Sequence, residues 1–236
     1  MLLTDTLIAL TASLGMVAGA ITAWDGLRAT QQSLQTLDQM LTQQRQVEQL
    51  LTRLSLSAGA TTLGVNNMGL VYWVGKPVAL EGVEGGGYRD DTFLLRHARS
   101  LDPKDCQGNQ LSMLDHIGNH FKLSSKHELS CKDSMREGTL YQALAERVED
   151  LQVRYAEVLR TAGADRLHDT LQWKTADQVN DWRQVQAFEV CLRWATAQRV
   201  MQGSVTTQGC QGESISRDGR LRRVWRQVFW LASQSN

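Results

Sequence analysis

Residues 2–24, LLTDTLIALTASLGMVAGAITAW, decide how the rest of the chain is read. From Thr6 to Trp24 no side chain carries a charge, and the stretch is close to the roughly 20 apolar residues that an α-helix needs to cross ~30 Å of hydrocarbon. Asp5 stands at its mouth. A carboxylate deep in a bilayer costs roughly 2.5 kcal/mol or more, so this one is either interfacial or kept for a purpose. A secretory signal carries basic residues before its apolar run and a small-x-small site after it. Here no Lys or Arg precedes the run, and Trp24, Asp25 and Gly26 follow it. The stretch therefore reads as a membrane helix rather than a cleaved signal. Arg28 is the first basic residue, and no cluster of positive charge assigns a side of the membrane.

The helix is expected to run on. Between Gly26 and Gly59 there is neither glycine nor proline, and Leu, Gln, Ala, Arg and Glu predominate. Leu27, Leu34 and Leu41 recur every seven residues, with Leu37, Gln44, Glu48, Leu51 and Ser55 at the other positions of the repeat and Val47, Leu50 and Leu54 beside them. That pattern predicts one apolar stripe on a long helix. About fifty residues at 1.5 Å each would make a rod of roughly 80 Å.

From Asn67 the periodicity changes. LVYWVG (70–75), DTFLLRHAR (91–99), HFKLS (120–124) and KHELSC (126–131) are short runs of strand-forming residues separated by Gly, Asn, Asp and Ser. In VEDLQVRYAEV (148–158), Leu151, Val153 and Tyr155 alternate with Gln152, Arg154 and Ala156, which gives one core face and one wet face. QAFEVCLRWA (186–195) and RLRRVWRQVFWL (220–231) complete an antiparallel set. The expected fold class is α+β, with a long N-terminal helix packed on an antiparallel sheet. Three segments follow: 1–25 as the membrane-spanning part of the helix, 26–58 as its amphipathic continuation, and 59–236 as a globular sheet domain.

The 236 residues are 42% hydrophobic with a formal net charge of zero, which is the balance of an ordinary folded protein and argues against a generic binder of nucleic acid or acidic partners. The four cysteines, Cys106, Cys131, Cys191 and Cys210, allow three pairings. Their order suggests two successive local loops, Cys106 with Cys131 and Cys191 with Cys210. Paired cysteines imply an oxidising compartment, and each bridge would close a loop of about 20 residues, worth on the order of 3 kcal/mol.

A hydrophobic N-terminal helix with an acid at position five, continuing into an amphipathic helix over a sheet, resembles type IV pilins and type II secretion pseudopilins. VEDLQVRY (148–155), ADQVNDWRQV (176–185) and DGRLRRVWRQVFWLASQSN (218–236) are similar, in order and content, to the C-terminal signatures of PilW-like minor pilins. DTFLLR and DCQGNQ sit where that family has a strand and a cysteine turn. The resemblance implies that Met1 is the processed, N-methylated residue after prepilin peptidase cleavage. It also implies that Asp5, in place of the family's Glu, meets a neighbouring subunit's amino terminus. A minor pilin of this kind helps start assembly at or near the tip of a type IV pilus. Its implied partners are other minor and major pilins, a tip adhesin, the peptidase and assembly machinery, and the membrane. Its implied location is the inner membrane, with the globular part periplasmic, and then the extracellular pilus. The alternatives are a type II secretion tip pseudopilin and a membrane-tethered periplasmic binding module that never polymerises. The family's major pilins usually carry proline near position 22, where this chain has Ile21 and Thr22.

Other chemistries have less support. His116 and His120 with Cys106 and Cys131 make a formal Cys-His-His-Cys set, but zinc sites favour closer cysteines and an oxidised pair offers no thiolate; no metal or cofactor is expected. His97, His127 and His168 read as scattered surface or strand residues. EGVEGGGYRDD (81–91) lacks the Lys-Ser or Lys-Thr of a phosphate loop and reads as a flexible surface loop. No nucleophile signature appears, so no enzyme is expected. Arg217, Arg220, Arg222, Arg223 and Arg226 beside Trp225 and Trp230 have the charge and stacking groups of a single-strand nucleic-acid surface, a minor reading against that of an ordinary solvated strand.

Overall fold

The computed structural model describes residues 2–58, 63–65, 71–73, 78–85, 90–98, 104–110, 116–162, 167–199, 207–215 and 218–231, with the backbone alone at 2–14 and at a few further positions. Two compact units divide it, 1–42 and 43–236. One helix, α1 (Leu2–Ser57), crosses the boundary without a break. Gly15, Gly19 and Gly26 do not interrupt it, because an isolated helical glycine costs only about 1 kcal/mol against alanine.

Among the described residues no helix is long and apolar enough to cross a membrane. Asp5 belongs to the part of α1 described by its backbone alone, so its side chain lies outside the described residues, as does Met1 altogether.

The buried stripe of α1 differs from the leucine heptad. Leu27 and Leu34 are 69% and 61% exposed, whereas Met40, Val47, Leu51, Leu54 and Ala58 are buried. The steps of seven, four, three and four keep the seven-residue spacing: Met40, Val47 and Leu54 stand one position before the line of Leu27, Leu34 and Leu41, and Leu51 and Ala58 continue the line of Leu37 and Gln44. Ser55 is buried and donates to the Thr52 carbonyl (3.0 Å), which satisfies its hydroxyl inside the helix. Within the larger unit, the end of α1 is tied down at several points. Gln43 Oε1 accepts the Glu146 N–H (3.3 Å), Arg53 donates to the Asp105 carbonyl (3.2 Å), and Ala58 bridges His97.

Among the described residues thirteen strands follow: β1 (Leu63–Val65), β2 (Val71–Trp73), β3 (Leu80–Val83), β4 (Thr92–Ala98), β5 (His116–Leu123), β6 (Glu128–Asp133), β7 (Gln142–Glu146), β8 (Val148–Ala162), β9 (Leu167–Lys174), β10 (Val185–Arg199), β11 (Thr207–Gln208), β12 (Ser214–Ile215) and β13 (Arg220–Trp230). A five-stranded sheet has the order β3-β4-β5-β6-β7 and a four-stranded sheet the order β13-β10-β8-β9; β1-β2 and β11-β12 are small pairs. All described pairings are antiparallel. The expected α+β architecture is therefore present, with two main sheets instead of one. Strands β1, β3, β7, β9, β11 and β12 were not expected from the sequence. β3 and β9 carry no clean alternation, being edge strands with one side of the ladder open, as in the half-exposed Leu171 of β9.

Period-two alternation sorts the larger sheet residues into faces. In the four-stranded sheet Leu151, Val153, Tyr155, Phe188, Val190, Leu192, Trp194, Trp225 and Phe229 are buried. Phe93 stacks on Phe121 with centroids 4.6 Å apart and meets Phe188 of the other sheet at 5.9 Å, so the cores of the two sheets are continuous. His97, expected at the surface or on an ordinary strand, is fully buried, with Nδ1 3.1 Å from Asn119 Nδ2.

Candidate functional site

The segments with the resemblance converge on β8. Residues 148–157 of β8 pair with β10 on one edge, while β9 joins the other edge only from Tyr155 onward. Before Tyr155 that second edge is filled by two aspartates. Asp90 Oδ1 accepts the Leu151 N–H (3.0 Å), Asp91 Oδ2 accepts the Val153 N–H (2.7 Å), and the Asp91 N–H donates to the Leu151 carbonyl (3.1 Å). Asp91 Oδ1 also takes the Gly85 N–H (2.9 Å). A pair of side chains thus serves where a strand is missing and fastens β4 to β8. The glycine-rich run expected to be a flexible surface loop contains this clamp and the end of β3; residues 86–89 lie outside the described residues.

Burial pushes the Asp91 carboxyl up from 3.8 to about 6, with Glu84 and Asp150 adding to the rise and the Gly85 and Val153 N–H groups opposing it. The folded chain then holds a proton between pH ~3.8 and ~6 that the unfolded chain releases. The associated stability is present in acid and lost as pH rises through that window. The shift is equivalent to about 3 kcal/mol at 1.36 kcal/mol per pH unit. Glu84 and Asp90 shift the same way, chiefly through burial. We expect the unfolding free energy of Asp91→Asn to fall less than that of the parent between pH 4 and pH 7, by up to about 3 kcal/mol in urea titrations. Parallel pH profiles for the two proteins would contradict the assignment.

Glu157, fully buried, is the second anchor on β8. Its carboxylate accepts Lys174 Nζ (2.6 Å) and the N–H groups of Asp181 (2.8 Å) and Asn180 (3.2 Å). The segment ADQVNDWRQV forms two single 3-10 turns, Ala176–Gln178 and Trp182–Gln184. Glu157 holds the link between them, while Glu84 takes the Ala176 N–H (3.3 Å) and Trp182 meets Tyr155 edge-on at 4.8 Å. Burial opposes the ionised form of Glu157, but the bonds from Lys174, Asp181 and Asn180 outweigh it and hold its carboxyl below the usual range.

A network of ion pairs covers the opposite face of the four-stranded sheet. Glu149 contacts Arg222 (2.7 Å), Arg220 (2.8 Å) and Arg193 (3.5 Å); Asp218 pairs with Arg220 (2.6 Å) and Arg222 (2.7 Å); Arg193 also reaches Glu213 (2.8 Å) and Asp150 (3.4 Å). The Arg222 guanidinium is held charged first by Asp218 and then by Glu149, and bonds from Arg222 and Arg220 hold the Asp218 carboxyl well below the usual range.

Most of the arginines of the minor nucleic-acid reading are engaged within this arrangement. Arg222 is nearly buried and paired, Arg220 is shared between two carboxylates, and Arg226 donates to the Cys210 carbonyl (2.6 Å). Trp225 is buried 6.2 Å from Trp194, on the other face of the strand from Arg222 and Arg226. Arg223 is exposed and donates to Gln44 Oε1 (2.9 Å). Alternation along β13 turns Trp225 away from Arg222 and Arg226, while it puts Arg223 on the face of Trp225 and Trp230 on that of Arg222 and Arg226. Trp230 is exposed, and Arg217 lies outside the described residues.

The structure pairs Cys106 with Cys131 and Cys191 with Cys210, with Cα atoms 6.4 and 5.8 Å apart. The first bridge starts in the DCQGNQ turn. There Asp105 accepts the N–H groups of Gln107 (2.9 Å) and Asn109 (2.8 Å), Gly108 takes a φ of +83°, and the Cys106 N–H donates to Asn119 Oδ1 (2.6 Å). The second bridge pins the β11-β12 hairpin, with Gln208, Gly209 and Cys210, over β10. The thiols are thus committed to bridges, and His120 Nδ1 lies 2.6 Å from the Tyr141 hydroxyl.

A long helix whose end is buried with two antiparallel sheets, fastened by local disulfides and by carboxylates on the central strand, defines the structural class. Residues 117–232 match the family model described as Type IV Pilus-assembly protein W. All three C-terminal segments named above overlap that range, so the chain is similar to the PilW-like family through its second half. The match supports a type IV pilus subunit in general terms. No curated protein matches the chain. A type IV-like pilin from Thermus thermophilus matches in structure at 11% identity and a TM-score of 0.47, over 84% of this chain and 99% of that one, a likeness too slight to argue from.

Proposed function

We propose that the chain is a minor pilin of the PilW-like kind that helps start assembly of a type IV pilus at or near its tip. The match of residues 117–232 to the pilus-assembly family carries this reading. The uncharged run from Thr6 to Trp24 supports storage of the helix in the inner membrane, with residues 59–236 on the periplasmic side. In the filament the same apolar surface would pass from lipid to the helices of neighbouring subunits at little net cost, since both environments are apolar. Met16, Val17, Ile21, Trp24, Leu27 and Leu34 are exposed in the isolated chain, as a surface meant for such neighbours would be. Met1 would be the methylated terminus, and Asp5 would neutralise a neighbour's ammonium in a medium where an unpaired charge is expensive. Other pilins, the peptidase, the assembly machinery and a tip adhesin are the partners of this proposal.

The test is Asp5→Ala in cells lacking the parental copy, read by immunoblot of sheared pili and of membranes. We expect at least a tenfold loss of the subunit from pili, with normal membrane levels and both disulfides intact. Normal incorporation would reject the role of Asp5. Mass spectrometry of the parental protein should show an N-methylated Met1. Loss of secretion with pilus number unchanged in a deletion strain would assign the chain to a secretion system instead.

A further inference from the structure

We propose that the outer face of β5 and β6, around Tyr141, is a binding site for a phosphate monoester with an apolar body. His120 and Lys132 are cross-strand partners, Lys122 follows two residues along β5, and Tyr141 immediately precedes β7. Lys122 Nζ lies 3.9 Å from the Tyr141 ring centroid and Lys132 Nζ 4.9 Å from the same ring. The Tyr141 hydroxyl in turn lies 2.6 Å from His120 Nδ1. Two ammonium groups, a phenol and an imidazole thus converge. Among the described residues no carboxylate pairs with either lysine, in contrast to the neutralised arginines of the other sheet.

A ring face shared by two cations lessens their repulsion but does not cancel their charge. The field of the cluster shows in its own members: the His120 imidazole is held below its usual value by burial and then by Lys132 and Lys122. An arriving dianion would meet point charges on flexible stems, the usual way in which lysine takes phosphate. His120 also borders a shallow groove of about 340 Å³ that runs over Val83, Leu94 and Trp182. Its one acid, Glu81, is engaged by Arg96 at 2.9 Å. An apolar substituent on the phosphate would lie along that groove, where Val83 is 65% exposed. Such a site does not depend on the chain's place in a pilus.

The experiment follows the His120 imidazole resonances of the full chain in non-ionic micelles at constant ionic strength, as phenyl phosphate, inorganic phosphate or acetate is added. We expect saturable shifts with phenyl phosphate, weaker binding of inorganic phosphate, and weaker still of acetate. Lys122→Gln and Lys132→Gln should each weaken phenyl phosphate about fivefold or more, the scale of one charge pair near water. Lys132→Arg should restore binding, which separates lost charge from lost structure, and Lys126→Gln, at the exposed turn beside the site, should leave it unchanged. A response without saturation, or equal losses in Lys126→Gln and Lys132→Gln, would overturn the site in favour of diffuse surface charge. Acetate binding as tightly as phosphate would overturn the phosphate assignment, and equal affinity for inorganic and phenyl phosphate would overturn the groove's part in it.

Discussion

Glu157→Ala is expected to cost about 4 kcal/mol of unfolding free energy, in the range found when one partner of a buried charged cluster is removed. The carboxylate satisfies Lys174, Asp181 and Asn180 at once, and its side chain is 2% exposed. Alanine would leave an ammonium and two backbone N–H groups in a place that water enters with difficulty, and each stranded donor adds about 1–3 kcal/mol before relaxation. Glu157→Gln keeps an acceptor but loses the charge and should cost about half as much. Hydrogen exchange supplies the local readout, with the Asn180 and Asp181 amides losing protection in Glu157→Ala ahead of β10. A loss below 1 kcal/mol would show the cluster to be a surface ornament. The pH dependence has a definite sign. The folded-state value of Glu157 lies below the ordinary 4.5, so its contribution is complete above that pH and fades as pH falls through the folded value. Asp91 acts in the opposite direction, so acid weakens one anchor of β8 while strengthening the other.

The sequence made some of these features legible and concealed others, for physical reasons. Alternation in VEDLQVRYAEV identified β8, because a central strand with one dry face must alternate, and the run QAFEVCLRWA that completed the set falls within β10. The pairing of Cys106 with Cys131 and of Cys191 with Cys210 follows the order suggested by their spacing. The stripe on the helix was legible in its period but not along its whole length: Val47, Leu51, Leu54 and Ser55 are buried as read, whereas Leu27 and Leu34 are exposed in the single chain and Met40, one position before Leu41, is buried. Asp90 and Asp91 were hidden by the glycines before them. Nothing local distinguishes a loop aspartate in water from one capping a strand 61 or 62 residues away; only the gap in pairing along β8 reveals it. The arginines of β13 were legible as charge but not as pairs, since Glu149 lies on a strand 73 residues earlier. In the candidate site, the segments themselves could be read in order, while the carboxylates that join them could not.

Glu149→Leu should show what the arginine network contributes. Three guanidinium groups, from Arg193, Arg220 and Arg222, would then face one another with Asp218, Asp150 and Glu213 left to share them. Arg222 is the most enclosed, with 7% of its side chain exposed, so it would suffer most. We expect a loss of about 3 kcal/mol, which for a unit of this size lowers Tm by roughly 6–12 °C. Glu149→Leu combined with Arg222→Met should recover most of that loss, because a buried ion pair replaced by apolar groups of similar volume is often neutral or better. Failure of the double variant to recover would mean that Arg220 and Arg193 depend on Glu149 as much as Arg222 does, so that the unit is the whole network and not the pair. The distinction bears on assembly. Glu149 lies in VEDLQVRY and Arg222 in DGRLRRVW, so the contact joins two of the segments on which the family resemblance rests. A subunit whose network is broken should keep its core, held by Phe188, Trp194 and Phe229, yet present a looser outer face to its neighbours. Recruitment into pili should then fall by more than the fraction unfolded accounts for. The double variant, stable but without the charges, separates the two effects: recruitment restored along with stability assigns the network to folding, and recruitment still impaired assigns it to the interface.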